Sequence, residues 1–318
     1  MRVLVTGAAG FIGSHAVERL VRRGDDVVGI DNFNDYYSPA RKRANVEAVR
    51  AVGEFEMVEG DIRDGAAVEA LFAGKSFDAV IHLAAMAGVR NSVEFPILYY
   101  DVNVNGTIRL LEAARKHGVG TFVFASTSSV YGPTQTIPFV ETDPCNQPLA
   151  PYPASKKACE GLAYAYHHLH KMNLTGVRFF TVYGPRGRPD MMLYKVAESA
   201  FTGKPVPLYN RGEMHRDWTY VDDIVSGVVA AAERPLGFEL INLGRGEPVL
   251  LADFVRQIEA LAGRPANLVP APMLDADIAY TWADISKAHE LLGYNPQTPV
   301  AEGVPRFMEW YRKIKDEG

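Results

Sequence analysis

The first 31 residues combine a strand pattern, a glycine-rich turn, a helix pattern and a second strand pattern, in that order. The apolar run from Arg2 to Thr6 leads directly into Gly7-Ala8-Ala9-Gly10-Phe11-Ile12-Gly13, and a helix pattern follows to Arg23. The first two glycines allow a tight turn whose backbone can approach a pyrophosphate, and the third lets the helix pack closely on the strand. A second apolar run, Asp26 to Ile30, ends at Asp31. This order of elements predicts a dinucleotide-binding α/β fold.

The acidic residue after the second strand pattern indicates which dinucleotide binds. The Asp31 carboxylate can accept hydrogen bonds from both ribose hydroxyls of NAD. It would repel the additional phosphate of NADP. We therefore expect NAD as the cofactor.

Strand and helix patterns alternate as far as about residue 180. Helix patterns lie at about 66–72, 99–117 and 152–171, and short apolar runs occur at Phe55 to Glu59, Ala79 to His82, Thr121 to Ser126 and Leu174 to Phe180. Such alternation predicts a Rossmann doubly wound parallel sheet covered by helices on both faces, with its ligand at the carboxyl ends of the strands.

The pattern loosens beyond Tyr183-Gly184-Pro185, where proline and glycine become frequent. A strand pattern at Phe238 to Asn242 and helix patterns near 251–262 and 300–315 follow. We predict two domains. Residues 1–180 form the NAD-binding Rossmann domain, to which segments around 214–242 return, and residues 181–318 form mainly a smaller C-terminal α/β substrate lobe.

Composition favours an enzyme with a large core. The chain has 318 residues, 47% of them hydrophobic, and a net charge of −5. The densest basic cluster, Arg41-Lys42-Arg43, is interpreted as a solvated helix start, so nucleic-acid binding is not expected. Cys145 and Cys159 are too few for a disulfide framework, and no apolar run reaches the roughly 18 residues of a membrane span. We expect a cytoplasmic protein that does not bind membranes.

A tyrosine and a lysine four residues apart carry the candidate chemistry. Tyr152 and Lys156 would share one face of a helix, so the ammonium could favour the phenolate. A free phenol has a pKa of about 10 and needs such help to act as a base near neutral pH. Thr127 lies 25 positions upstream of Tyr152. Alone, the pair would equally suit a surface helix with an aromatic residue near its start.

The motifs together resemble those of the extended short-chain dehydrogenase/reductases, and specifically nucleotide-sugar epimerases of the UDP-glucuronate 4-epimerase type. The resemblance covers essentially the whole chain. It is carried by Gly7 to Gly13, Asp31-Asn32-Phe33-Asn34-Asp35-Tyr36-Tyr37, His82-Leu83-Ala84-Ala85, Thr127-Ser128-Ser129-Val130-Tyr131-Gly132, Tyr152 to Lys156, Arg178 to Pro185, Gly187-Arg188-Pro189-Asp190 and Arg216 to Asp223. Asp31 to Tyr37 and Gly187-Arg188-Pro189-Asp190 are typical of the smallest group of proteins, so these two segments suggest the substrate.

The resemblance implies a role for each matching residue and no metal. Tyr152 would be the base, Lys156 would tune it and hold the nicotinamide ribose, and Thr127 would hydrogen-bond the reacting hydroxyl. The implied cofactor-binding residues are Gly7, Gly10, Phe11, Ile12, Gly13, Asp31, Asn32, Asp61, Ile62, Leu83, Ala84, Ala85, Asn103, Tyr152 and Lys156. The implied UDP-sugar-binding residues are Arg90, Thr127, Ser128, Ser129, Thr181, Arg188, Arg216 and Asp277. The family analogy also implies a homodimer formed by the helices near 99–117 and 152–171.

The residues after Thr127 favour epimerisation over elimination. Dehydratases and decarboxylases with this machinery carry acidic residues there, whereas this chain has Ser128 and Ser129, which are poor unassisted acids or bases. A hexuronate substrate needs its carboxylate held, because a 4-ketone beta to it promotes decarboxylation. Arg188 offers a bidentate donor, although it could instead be a loop charge.

Other interpretations of the sequence remain open. Leu274 stands where galactose epimerases have an arginine, so diphosphate contacts must come from elsewhere, with Arg90 as a candidate unless it is simply an exposed loop residue. The substrate could be UDP-glucose and UDP-galactose, and the reaction could be decarboxylation of UDP-glucuronate or dehydration. A non-catalytic NAD-binding sensor and a net oxidoreductase are alternatives from other classes.

Overall fold

The computed structural model describes residues 1–316, and its first part alternates strands with helices. The elements are β1 Arg2–Thr6, α1 Phe11–Arg23, β2 Asp26–Asp31, α2 Pro39–Arg50, β3 Glu56–Glu59, α3 Gly65–Phe72, β4 Ala79–His82, α4 Val89–Glu94, α5 Pro96–Tyr100, α6 Gly106–Lys116, β5 Thr121–Thr127, α7 Pro151–His170 and β6 Leu174–Phe179. A π-helical turn, Asp101–Asn105, joins α5 to α6, and a 3₁₀ turn, Ser128–Tyr131, follows β5. Where the sequence predicted one helix over 99–117, the structure therefore has three helical pieces.

The second part mixes short strands and helices. The elements are β7 Thr181–Tyr183, α8 Met192–Thr202, β8 Val206–Tyr209, β9 His215–Tyr220, α9 Val221–Ala232, β10 Phe238–Leu243, β11 Pro248–Leu250, α10 Leu251–Ala262, β12 Leu268–Ala271, α11 Ser286–Leu292 and α12 Val300–Asp316. Across the described part of the chain, no helix is both long and apolar enough to span a membrane.

Seven strands form one parallel sheet in the order β10-β6-β5-β4-β1-β2-β3. The predicted Rossmann fold class is confirmed. The chain leaves β1 towards β2 on one side and later places β4 on the other, so the strand order reverses at β1. Ligands of such sheets bind in the crevice at the carboxyl ends of the strands at this point.

Both faces of the sheet are buried, as the alternating side chains of β1 show. Val3 and Val5 belong to a core that includes residues of α1 and α9, whereas Leu4 belongs to a core that includes residues of α3, α6 and α7. Successive residues of a strand point to opposite faces, so one apolar run supplies both cores. Gly24 ends α1 in a left-handed conformation with φ of 87°.

The segment predicted to return to the Rossmann domain, 214–242, is divided in the structure. β10 pairs with β6 in the large sheet, and α9 packs on α1 and on β4 and β5. β9 instead pairs with β7 and β11 in a three-stranded sheet, and β8 pairs with β12 in a two-stranded one. The chain therefore passes between the two proposed domains three times, after β6, after β9 and after β10.

A buried ion pair joins α7 to strand β6 of the large sheet. Arg178, in β6, places its Nε 2.9 Å and its NH2 3.0 Å from the two carboxylate oxygens of Glu160. Ser126 donates to the same carboxylate at 2.7 Å. Burial raises the pKa of Glu160, but the hydrogen bonds and charge of Arg178 outweigh this effect, and the pKa lies below its usual value.

We expect Glu160→Gln to lower the free energy of unfolding by about 3–5 kcal/mol, because it leaves the buried Arg178 without its countercharge. Urea denaturation monitored by circular dichroism measures this. The carboxylate's contribution should be complete above its unfolded-state pKa of about 4.3 and be lost as the pH falls through the lower folded-state value.

The matched double variant, Glu160→Leu with Arg178→Met, should lose less stability than Glu160→Gln, since it buries no unpaired charge. Equal stability of Glu160→Gln and the parent at pH 7 would contradict the interpretation.

Candidate active site

A cavity of ≈ 380 Å³ opens at the carboxyl ends of the central parallel strands. Most residues predicted from the sequence line it: Gly7, Gly10, Phe11, Ile12, Gly13, Asp31, Asn32, Asp61, Ile62, Leu83, Ala84, Ala85, Thr127, Ser128, Ser129, Tyr152, Lys156, Thr181 and Arg188. Asn103, Arg90, Arg216 and Asp277 lie elsewhere. The structure therefore brings the glycine turn, the Tyr-Lys pair and the serine-rich turn into one cavity.

The glycine turn fits a pyrophosphate. Gly7 has φ of 69°, and a Cβ there would lie 2.8 Å from the Ala84 amide nitrogen; a Cβ at Gly13 would lie 2.0 Å from the Gly7 carbonyl oxygen. Side chains at either position would push β1, α1 and the loop after β4 apart. No side chain caps the first turn of α1, which faces the cavity, so the positive end of the helix is directed at an incoming anion.

Backbone amides hold the acidic residue at the end of β2. Asp31 accepts hydrogen bonds from the amides of Phe33 at 2.9 Å and Ala9 at 3.3 Å. Next to it, the Asn32 side chain donates to Asp61 at 2.8 Å, and hydrogen bonds from Arg63 lower the pKa of Asp61 to about 2. These carboxylates are fixed acceptors, which suits the ribose and adenine end of NAD.

Asn103, which the resemblance assigns to the cofactor site, lies behind the lining of the cavity. Its side chain is fully buried, and its amide group exchanges hydrogen bonds with the backbone of Met86 at 2.8 and 3.0 Å. It also donates to Ser155 at 2.9 Å, and Ser155 donates to the Tyr152 carbonyl at 2.7 Å. Because these bonds use the whole amide, Asn103 positions the cavity wall and the start of α7.

A hydrogen-bonded chain beneath the cavity determines the tautomer of His82. Thr107 donates to the Asn103 carbonyl, so its oxygen accepts from His82 Nε2, which lies 2.9 Å away. His82 Nδ1 then accepts from Thr6 at 2.7 Å, and the Ala84 amide donates to Thr6. Burial and the charge of Lys156 lower the pKa of His82 to about 3, so the ring stays neutral.

Tyr152 and Lys156 both reach the cavity from the first turns of α7. Burial raises the pKa of Tyr152, and the charge of Arg188 and a hydrogen bond with Thr127 oppose this rise. Burial also lowers the pKa of Lys156. The charge of Arg188, which lies in the loop after β7, therefore favours the Tyr152 phenolate.

Arg188 already has a two-point partner. Its Nε and NH2 groups each lie 2.9 Å from an oxygen of Asp190, and Tyr36 donates to the same carboxylate at 3.2 Å. The guanidinium also lies 5.8 Å from the centre of the Tyr36 ring. Its bidentate edge is thus engaged within the chain, so a ligand would meet the remaining NH1 edge.

Hydroxyl groups surround the same end of the cavity. Thr127 accepts from the Ser129 amide at 3.2 Å and donates to its hydroxyl at 3.3 Å, which fixes the turn after β5. Ser128 and Thr181 complete the set. Four hydroxyls and one guanidinium can together bind an oxyanion.

The residues expected to bind the nucleotide form a separate cluster. Arg90 pairs with Asp277 at 2.9 Å and lies 3.8 Å from the centre of the Tyr209 ring. Arg216 donates to two backbone carbonyls, and burial lowers its pKa to about 10. The two arginines therefore form a positively charged patch next to an aromatic face, as a UDP group requires.

Sequence reasoning missed several residues that line the cavity or contact its lining, each of which stands in a segment already quoted. Tyr36 and Tyr37 belong to the motif after β2, His82 to the motif at the end of β4, and Asp190 to the Gly-Arg-Pro-Asp segment. Lys42 belongs to the basic cluster interpreted as solvated, yet its side chain is only 6% exposed and lines the cavity. Across residues 1–316, no group of three or more His, Cys, Asp and Glu side chains is arranged to hold a metal ion.

Comparison with known proteins places these observations in a family. Residues 3–244 match the NAD dependent epimerase/dehydratase family. The UDP-glucuronate 4-epimerase of Thermodesulfobacterium geofontis is 42% identical over 98% of this chain and 96% of its own length, and UDP-glucuronate 4-epimerase 4 of Arabidopsis thaliana is 44% identical over 97% and 75%. Among solved structures, UDP-glucuronic acid 4-epimerase from Bacillus cereus, in complex with UDP-glucuronic acid and NAD, has a TM-score of 0.91 and 35% identity, covering 99% of this chain and 100% of that one. This chain belongs to the NAD dependent epimerase/dehydratase family.

Proposed function

We propose that this protein is an NAD-dependent nucleotide-sugar 4-epimerase that interconverts UDP-glucuronate and UDP-galacturonate. One observation carries the proposal: the Tyr-Lys pair and an oxyanion-binding set of hydroxyls meet in the cavity that also contains the glycine turn. The relatives named UDP-glucuronate 4-epimerases and the Bacillus cereus complex support the same reaction.

NAD fits the residues at its expected site. The glycine turn would hold the pyrophosphate, Asp31 the adenosine ribose, and Tyr152 and Lys156 the nicotinamide ribose. Bound NAD supplies the acceptor and later the donor of the hydride at C4 of the sugar.

Tyr152 has the central part in the proposed reaction. Its phenolate takes the proton of the sugar 4-hydroxyl, whose oxygen Thr127 hydrogen-bonds, and returns it after the 4-keto sugar has rotated in the cavity. Because burial raises the pKa of Tyr152, the phenolate depends on nearby positive charge. Arg188 supplies part of that charge, and Lys156 acts on the same face of α7.

The hexuronate carboxylate is assigned to the hydroxyls of Ser128, Ser129 and Thr181 and to the NH1 edge of Arg188, while Thr127 serves the 4-hydroxyl. Holding the carboxylate there keeps its bond to C5 out of alignment with the ketone, which suppresses decarboxylation. A neutral UDP-hexose is the second candidate substrate. It is favoured because the bidentate edge of Arg188 is already bound to Asp190. It is also favoured by a UDP-glucose 4-epimerase structure from Thermotoga maritima, which has a TM-score of 0.89 and 31% identity and covers 99% of this chain and 100% of that one.

For the nucleotide, Arg90 and Arg216 are assigned to the diphosphate and Asp277 to the uridine ribose. Their cluster lies beside the Tyr209 ring, which supports this assignment. A cytoplasmic location stays a prediction.

Incubation with UDP-glucuronate and, in parallel, UDP-glucose, with the products resolved by proton NMR, tests the function. We expect UDP-galacturonate from the first substrate and little product from the second.

Tyr152→Phe should lose nearly all turnover while still binding NAD, because the phenolate is absent. Tyr164→Phe, at an exposed position on the same helix, is the matched control and should behave like the parent. Full activity of Tyr152→Phe would exclude this mechanism.

We expect Arg188→Ala to raise the KM for UDP-glucuronate at least tenfold and to leave the KM for UDP-glucose nearly unchanged, since only the first substrate has a carboxylate. One charge-assisted hydrogen bond contributes about 1.5–3 kcal/mol, which corresponds to at least a tenfold change. The variant should also release some UDP-pentose, because the carboxylate is less firmly held.

Asp190→Asn is the matched control for Arg188→Ala, since it removes the internal partner and keeps the guanidinium; its KM for UDP-glucuronate should not rise. If Arg188→Ala has the parent's kinetics and forms no pentose, the substrate assignment moves to a neutral UDP-hexose.

The protein is also proposed to be a homodimer. Ile97 on α5 is 85% exposed. Phe95, just before α5, and Tyr100, its last residue, are about half exposed. An apolar group of this kind, adjacent to the two helices that the family analogy assigns to the interface, would be covered by a second copy.

Ile97→Asp should therefore convert the dimer to a monomer, because it would place a charge in an apolar interface. Size-exclusion chromatography with light scattering gives the mass directly. Val269→Asp, at an exposed position on β12, is the control and should leave the mass unchanged. A parent protein that is monomeric at micromolar concentration would refute the assignment.

A further inference from the structure

Lys42 is a buried lysine beside the carboxylate that is expected to select the cofactor. Its Nζ lies 3.7 Å from Asp31 Oδ1 and 5.1 Å from the centre of the Tyr37 ring. It donates a hydrogen bond to the Asn34 side chain at 2.7 Å. Both Lys42 and Asp31 line the cavity.

Lys42 is not needed to orient the Asp31 carboxylate. The backbone amides of Phe33 and Ala9 already hold both oxygens of that carboxylate. At 3.7 Å the ammonium is too far away for a hydrogen bond but close enough for a strong charge interaction in a buried site. Burial lowers the pKa of Lys42, and the charge of Asp31 opposes this change. The two residues are thus an electrostatic pair facing the cavity.

We propose that Lys42 determines cofactor specificity together with Asp31: it neutralises the carboxylate in the parent protein and becomes a phosphate-binding cation once that charge is removed. The inference rests on the proposed placing of the adenosine ribose at Asp31. The ligand assigned to Lys42 is the 2′-phosphate of NADP, which the charge of Asp31 prevents Lys42 from binding in the parent protein.

The charges that surround the 2′-position of the adenosine ribose decide whether a phosphate can bind there. A 2′-phosphate would carry about −1.5 to −2 charges. In the parent protein it meets a carboxylate and an ammonium whose charges cancel, with the carboxylate directed at the ribose. In Asp31→Asn it would meet an amide of the same shape and an unopposed ammonium, which is a common phosphate ligand. Removing the carboxylate charge should therefore create an attraction for the 2′-phosphate that is absent in the parent protein.

The test is equilibrium binding of NAD and NADP to cofactor-stripped protein by isothermal titration calorimetry, with 5′-AMP and adenosine 2′,5′-bisphosphate as smaller probes of the same site. Asp31→Asn should bind NADP and the bisphosphate at least tenfold more tightly than the parent does. Adding Lys42→Gln, which removes the charge and keeps a donor for Asn34, should abolish that gain. Adding Lys42→Arg should retain most of it.

Arg43→Met provides the matched control. Arg43 neighbours Lys42 on α2, but it is exposed and pairs with Glu59. Asp31→Asn with Arg43→Met should therefore keep the full gain for NADP. The gain should also shrink at high salt, as expected for a contact between charges.

Two outcomes overturn the inference in different ways. If NADP gains equally in Asp31→Asn and in its double variant with Lys42→Gln, Lys42 is not the cation, and the proposed cofactor site stands. If Asp31→Asn changes the affinity for neither NAD nor NADP, the ribose does not bind at Asp31, and the proposed cofactor placement fails as well.

Discussion

The contact between Gly7 and Gly13 is the constraint on which the rest of the site depends. The Gly7 amide also donates to the Ile30 carbonyl at 2.8 Å, so one residue touches β2, the loop after β4 and α1. The backbone can turn this tightly because Gly7 adopts a positive φ without steric cost. As a result, the end of α1, the Asp31 carboxylate and the Ala84 amide are held together before any ligand arrives.

Buried charge is the second organising feature of the site, and each charged group depends on another. The Arg178 guanidinium lies against Glu160 one turn beyond Lys156, while His82 is kept neutral beside Lys156. Arg188 is balanced by Asp190 and acts on the Tyr152 phenol. Such groups lie in a medium of low effective dielectric constant, so moving one alters the protonation of its neighbours. The site is better understood as one connected electrostatic unit than as separate residues with separate roles.

The fold followed from local information in the sequence, because short apolar runs and a glycine turn specify strands and a tight crossing wherever they occur. The lining of the cavity also followed, since the carboxyl ends of parallel strands meet at one edge. Contacts between side chains that are far apart in the sequence could not be predicted in this way. Nothing local shows that Lys42, in a run of three basic residues, turns inwards to Asp31, or that Arg90 meets Asp277. The contacts of Asn103 did not follow for a related reason: a motif position shows which residue matters, but not that its amide binds the backbone of Met86.

The Arg90 to Asp277 contact affects how the strength of nucleotide binding should be understood. Under the proposed assignment, a diphosphate that reaches Arg90 takes the position of a carboxylate, and the ribose hydroxyls that reach Asp277 take the position of a guanidinium. Binding is then an exchange of partners in which the number of ion pairs hardly changes. The net electrostatic gain per phosphate is smaller than for a bare arginine, because an internal bond has to be broken first. Such an exchange favours ready release of a product whose diphosphate carries two negative charges, which a reversible enzyme with chemically similar substrate and product requires on every turnover.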